Sequence, residues 1–160
     1  MKILAADIGG TKTLVHIAEV YGAHIKVLHQ ARFISKLYRD FETLLHEFFD
    51  QVPALLRNTI AGACFGVAGP ISNSGQGPRQ AMITNLPWHI DETKLRDMLQ
   101  ISQVCLINDF FATASGIEAL NNEDLDILNP GSGKPHAPRL VVGAGTGLGV
   151  AQILWCDGRH

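Results

Sequence analysis

Three short stretches combine glycine, hydroxyl and carboxylate groups in patterns suited to holding a phosphate beside an alcohol. The first is Asp7-Ile8-Gly9-Gly10-Thr11. Glycines let a backbone approach a phosphate closely and turn its N–H groups toward the oxygens. Thr11 adds a hydroxyl, and Asp7, at a strand end, can orient a hydrated Mg²⁺ through its waters. A Gly-Gly pair alone specifies only a hairpin turn, and it is the acid before it and the threonine after it that point to phosphate. The second stretch is Gly143-Ala144-Gly145-Thr146-Gly147-Leu148-Gly149. It is not a dinucleotide fingerprint, because positions 148 and 150 are Leu and Val, and no G-x-x-x-x-G-K-[ST] loop occurs. Glycine weakens strands, so four alternating glycines around a threonine predict close approach of backbone to a ligand, with Thr146 donating to a phosphate oxygen. The third is Asn108-Asp109, directly after an apolar run. A carboxylate at the carboxyl end of a strand in an α/β sheet sits where ligands bind. Asp109 can take the proton of a substrate hydroxyl, and Asn108 can bond a neighbouring one. The same pair is also an ordinary helix cap, and one residue can do both.

The elements that must position these groups follow from periodicity. Residues 3–8 and 14–20 read as strands joined by the Gly-Gly turn, and 25–34 alternates as a third strand. Phe41, Leu44, Leu45, Phe48 and Phe49 form one helical face over 40–51, with Asp40 as N-cap and Pro53 as stop. Residues 60–67 read as a buried strand, 72–77 as a loop, 80–84 as a short strand and 91–99 as a helix. A strand at 104–107 stops at Asn108-Asp109, a helix over 110–120 follows, and 121–138 is a polar connection. A hairpin of 140–142 with 150–155 closes the chain around the second glycine stretch. Trp88 and Asn85, in Thr84-Asn85-Leu86-Pro87-Trp88, read as core and turn residues. The order predicts a mixed sheet with flanking helices. The strand–glycine turn–strand opening recurs at the end, which suggests a second, equivalent domain.

Composition removes other classes. The chain has 160 residues, 46% hydrophobic and 18% charged, so it can bury a core. Net charge is −2 without a basic cluster, which argues against nucleic acid and anionic membrane as partners. Cys64, Cys105 and Cys156 are widely spaced and lie in or beside apolar runs, which predicts reduced, buried thiols. His46-Glu47 opens like a zinc-protease helix, but position 50 is Asp. The N-terminus does not read as a signal peptide, and no apolar stretch approaches the roughly 20 residues of a membrane helix.

DIGGT, GVAGPI, TNLPW, LINDF and GAGTGLGVA, in that order and spacing, resemble the bacterial glucokinase family over essentially the whole chain. The resemblance implies a ribonuclease-H-like fold of the actin and hexokinase type, and transfer of the ATP γ-phosphate to the 6-hydroxyl of glucose in the cytoplasm. It makes Ala6, Asp7, Ile8, Gly9, Gly10 and Thr11 the first phosphate loop, and Gly143, Gly145, Thr146 and Gly147 the second, with the phosphates between them. Asn108 and Asp109 become glucose ligands, Asp109 the general base, and ATP with Mg²⁺ the cofactors; a homodimer is left open. The implied division is a small domain at 1–110, a helix and loop at 111–138, and the opening hairpin of a larger domain at 139–160. Two features depart from the family: Lys12 stands where many members carry Asn, as in the related repressor, open-reading-frame and kinase group, and the connection at 73–79 is long. The family's Glu-x-x-His glucose ligands are expected beyond His160, so the chain reads as truncated and inactive alone. The alternatives are a kinase for another hexose or an N-acetylhexosamine, and a non-catalytic sugar-binding protein. A sugar-sensing repressor is disfavoured, since it would need a helix-turn-helix ahead of the first strand.

Overall fold

The computed structural model describes residues 1–22, 24–73, 77–145 and 147–156. The chain divides into two compact units, 1–109 and 110–160. In the first, β1 (Lys2–Ile8), β2 (Lys12–Tyr21), β3 (His24–Ile34), β4 (Ile60–Val67) and β8 (Val104–Asn108) form one sheet in the order β3-β2-β1-β4-β8. The two hairpin pairings are antiparallel, whereas β1–β4 and β4–β8 are parallel. Alternation decides which face is buried. Leu4, Ala6 and Ile8 of β1 share the core with Val15, Ile17, Phe65, Val67 and Leu106.

That face is covered by α1 (Phe41–Asp50), which buries Phe41, Leu44, Leu45 and Phe48 as its spacing predicts. Asp40 caps it, accepting from the Thr43 amide at 2.8 Å. Phe41 meets Phe65 edge-on at 5.3 Å and lies 6.2 Å from Trp88. Trp88 is buried and its indole N–H donates to the Tyr38 carbonyl at 3.1 Å.

The segments on either side of β4 carry more structure than their periodicity predicts. β5 (Ile71–Asn73), β6 (Arg79–Met82) and β7 (His89–Asp91) form a small antiparallel sheet, and α2 (Ala54–Arg57) is a single turn after Pro53. Elements of three or four residues are too short for a periodic signal. β5 therefore occupies part of the expected 72–77 loop.

α3 (Glu92–Leu99) starts at Asp91, whose carboxylate accepts from the Thr93 and Lys94 amides at 2.7 and 3.1 Å. Burial alone would raise the Asp91 carboxyl, but the Lys94 and Thr93 amides, Gln80 and the Lys94 charge together hold it below its ordinary value. Its neighbour Glu92 is buried and joins three elements. It accepts from the Leu106 amide in β8 and from the Arg79 amide in β6, both at 2.9 Å. Arg79 Nη1 returns to the Leu106 carbonyl at 2.8 Å.

α4 (Asp109–Gly116) leads into the second unit, ending at Gly116 rather than 120, and Ile117–Ala119 tighten into a 3₁₀ turn. A second such turn, Asn122–Asp124, carries a reciprocal capping box between Asn121 and Asp124. β9 (Arg139–Ala144) and β10 (Leu148–Ile153) pair as an antiparallel hairpin, with Leu140, Val142, Leu148 and Val150 exposed. No helix among the described residues is long and apolar enough to cross a membrane.

Glu92→Ala leaves one buried donor, the Leu106 amide, and one part-buried donor, the Arg79 amide, without this acceptor, at about 1–3 kcal/mol for the buried one. Urea unfolding is expected to show a loss in that range, with Glu92→Gln retaining part of it; an unchanged midpoint for Glu92→Ala would remove the network's structural role.

Candidate functional site

Because β1, β4 and β8 run parallel, their carboxyl ends lie at one edge of the sheet. The register aligns Asp7 with Gly66 and Gly66 with Ile107. Asp109 follows two residues after Ile107, so both acids belong to the same end of the sheet, with the side-chain-free Gly66 between their strands. Asp7 is exposed at the strand end, yet surrounding protein partly desolvates it. That desolvation, with the Asp109 charge second, raises its carboxyl above the ordinary value. The sequence-predicted Asp7 and Asp109 are thus brought together. Asn108 is exposed at the end of β8 and Asp109, half-buried, opens α4.

The first glycine turn is shaped by its surroundings. The Gly9 amide donates to the Lys12 carbonyl at 3.0 Å, closing the turn. A Cβ on Gly10 would stand 2.5 Å from the Thr84 carbonyl oxygen, so this glycine is required for the loop to lie against the Thr84-Asn85 turn. Asn85 itself has φ 67°, in the left-handed region that Asn tolerates. Thr11 is exposed. Ala6 and Ile8 serve as framework instead. Their side chains are buried in the core and their backbones pair with β2 and β4 on either side, which leaves them little to offer a ligand.

Sequence reasoning missed the residues that hold this turn. Ser35 and Thr13 are both fully buried. Ser35 Oγ donates to the Gly9 carbonyl at 2.7 Å and lies 3.0 Å from Thr13 Oγ1. A serine has one hydroxyl hydrogen, so Thr13 is the donor in that second bond. The Ser35 amide donates to the Thr11 carbonyl at 3.1 Å. The local signal is a serine directly after the apolar pair Phe33-Ile34, a pattern that any strand end can show.

The second glycine stretch divides in two. Gly143 and Gly149 are directly paired across β9 and β10. A Cβ on Gly143 would stand 2.6 Å from the Phe110 ring, and one on Gly149 would overlap it. These two glycines therefore make room for an aromatic ring of their own unit. Gly145 and Gly147 have open space around them, and the Gly145 amide donates to the Gly147 carbonyl at 2.9 Å. Only these two keep the character of a ligand loop. Thr146 lies outside the described residues.

Among the described residues no group of three or more His, Cys, Asp or Glu side chains could hold a metal by itself. A cation bound through its waters needs less than that, and the raised carboxyl of Asp7 beside Asp109 is a centre of negative charge that such a cation would relieve. A surface depression of about 510 Å³ at Arg39, His46, His89 and Lys94 includes none of the predicted site residues.

The glucokinase family model matches residues 4–160. The chain belongs to the glucokinase family. A glucokinase of Nostoc sp. is 37% identical over 153 residues, which cover 95% of this chain and 43% of the relative. One from Synechocystis sp. is 34% identical, with 96% and 44% covered. Among solved structures, a glucokinase from an Antarctic psychrotroph superposes with TM-score 0.81 at 26% identity, over 99% of this chain and 48% of that one. A Balamuthia mandrillaris glucokinase, solved in complex with glucose, has TM-score 0.71 at 24% identity and supports the fold. The expected mixed α/β fold of the sugar kinases holds, and the chain spans under half the length of these relatives.

Asp7 has a raised folded-state pKa, so its ionised form opposes folding above that value, and the penalty disappears as pH falls toward the ordinary carboxyl range. Asp7→Asn is expected to raise Tm at pH 7, with the gain fading by about pH 4; an equal gain at both pH values would remove the electrostatic origin. Ser35→Ala strands the Gly9 carbonyl and is expected to cost about 1–3 kcal/mol in denaturant unfolding, against no loss if the bond is incidental.

Proposed function

We propose that this chain supplies the sugar-binding and phosphate-binding residues of an ATP-dependent glucokinase of the cytoplasm, which forms glucose 6-phosphate. The observation that carries this reading is the electrostatic coupling of Asp7 and Asp109 at the carboxyl ends of parallel strands, in a chain of the glucokinase family. In this mechanism Asn108 and Asp109 bond glucose hydroxyls. Asp109 orients the 6-hydroxyl toward the γ-phosphorus and takes its proton as the new O–P bond forms. Gly10 and Thr11 offer amides and a hydroxyl to phosphate oxygens, and the second loop offers its Gly147 amide, that of Gly145 being bonded to the Gly147 carbonyl. Gly9 contributes shape, because its amide already closes the turn. Asp7 would hold Mg²⁺ through its waters, and the ion would supply charge neutralisation on the triphosphate. Positioning is most of the catalysis in phosphoryl transfer, since little covalent work falls to the protein.

In a full-length enzyme carrying this segment, Asp109→Ala is expected to lower kcat with glucose at least ~10²–10⁴-fold while nucleotide binding survives. Turnover near the parent level would refute the base assignment. Running the coupled assay with mannose and N-acetylmannosamine beside glucose separates the hexose classes. The 160-residue chain by itself is expected to show no turnover and at most weak heat of glucose binding; measurable phosphorylation by it would overturn the need for further ligands.

A further inference from the structure

Cys64 and Cys105 take no part in the chemistry above, yet they are directly aligned partners in the parallel β4–β8 ladder. The next pair, Phe65 and Leu106, is fully buried in the core, so the two cysteines share the opposite face. Adjacent strands stand about 4.7–4.9 Å apart, inside the roughly 4.4–6.8 Å between Cα atoms that a disulfide spans. Both residues are only half-buried, and the two thiols are close enough to influence each other electrostatically. The third strand of the row contributes Ala5, which is small. Arg79 Nη1 donates to Cys105 Sγ at 3.4 Å.

We propose that Cys64 and Cys105 are a modification site, a dithiol that closes reversibly to an intrachain disulfide by exchange with a low-molecular-weight disulfide such as oxidised glutathione. Cys105 is the entry sulfur, because the Arg79 guanidinium lies directly against it. Burial first, and the neighbouring Cys105 second, push the Cys64 thiol up, against the Arg79 charge, so Cys64 reacts second. Cys105 Sγ attacks one sulfur of the oxidised glutathione, whose S–S bond breaks and releases one glutathione thiol. Cys64 Sγ then attacks Cys105 Sγ, releasing the second. Two S–H bonds of the protein become one S–S bond, and the two electrons and two protons leave with two molecules of reduced glutathione. The link ties β8 to β4 three residues before Asn108.

The experiment uses the chain with its exposed third thiol removed, Cys156→Ser. After incubation with oxidised glutathione and alkylation, intact mass and a non-reducing peptide map are read. The expected result is loss of the mass of two hydrogens, a Cys64–Cys105 linked peptide, and reversal by dithiothreitol. With Cys64→Ser added, a stable glutathione adduct on Cys105 is expected. Separate glutathione adducts on both cysteines of the Cys156→Ser chain, or two thiols still free where the urea-unfolded chain oxidises, would overturn the proposal. Phenylarsine oxide, which bridges paired thiols, provides a reading that needs no further substitution. One arsenical per folded Cys156→Ser chain supports the pair, and none overturns it.

Discussion

The carboxylate of Asp7 sits where its surroundings resist its charge, and the architecture of the first unit is what puts it there. A parallel ladder ends all its strands on one side, so β1, β4 and β8 deliver their terminal residues together. Gly66 keeps the space between the outer two free of a side chain, and Asp109 follows on the next element. Partial desolvation and like charge then oppose ionisation of Asp7. A stable fold would avoid this arrangement, and groups perturbed in this way concentrate at functional sites. Under the proposed function, a hydrated cation and a sugar alcohol would compensate that unfavourable cluster.

How much was legible in the sequence depended on the range of the interaction. Phe41, Leu44, Leu45 and Phe48 declare their helix face because the period is local, and Asp40 declares its cap because the amide it accepts from is three residues away. The strand ends beside Asp7 and Asp109 were equally readable, since one apolar run stops at Gly9-Gly10 and the other at Asn108-Asp109. Ser35 and Glu92 were not. Ser35 bonds Gly9 across 26 positions and Glu92 bonds Leu106 across 14, so neither role exists until the sheet has formed. The short strands β5 and β7 were lost for a related reason, being too brief to repeat. The expectation of three buried thiols also fails in part, because Cys156 is exposed and the other two only half-buried.

The alternating glycines near the end of the chain illustrate how one pattern can answer two needs. Read as sequence, all four call for a ligand. In the folded hairpin, Gly143 and Gly149 yield to the ring of Phe110, while Gly145 and Gly147 at the tip remain open. An aromatic ring laid over paired glycines restores to the hairpin the contact area that glycine lacks. Spacing alone does not separate a glycine that accommodates a neighbour from one that accommodates a substrate.

Glu92 and Arg79 have an effect at the outer margin of the sheet as well. Between them they occupy both the amide and the carbonyl of Leu106, midway along the last strand. An incoming strand, from another copy or an unfolding neighbour, would find those groups already engaged and would have to dislodge a charged pair to dock. Lateral growth of the five-stranded sheet is therefore opposed at Leu106, along the edge strand that ends in Asn108.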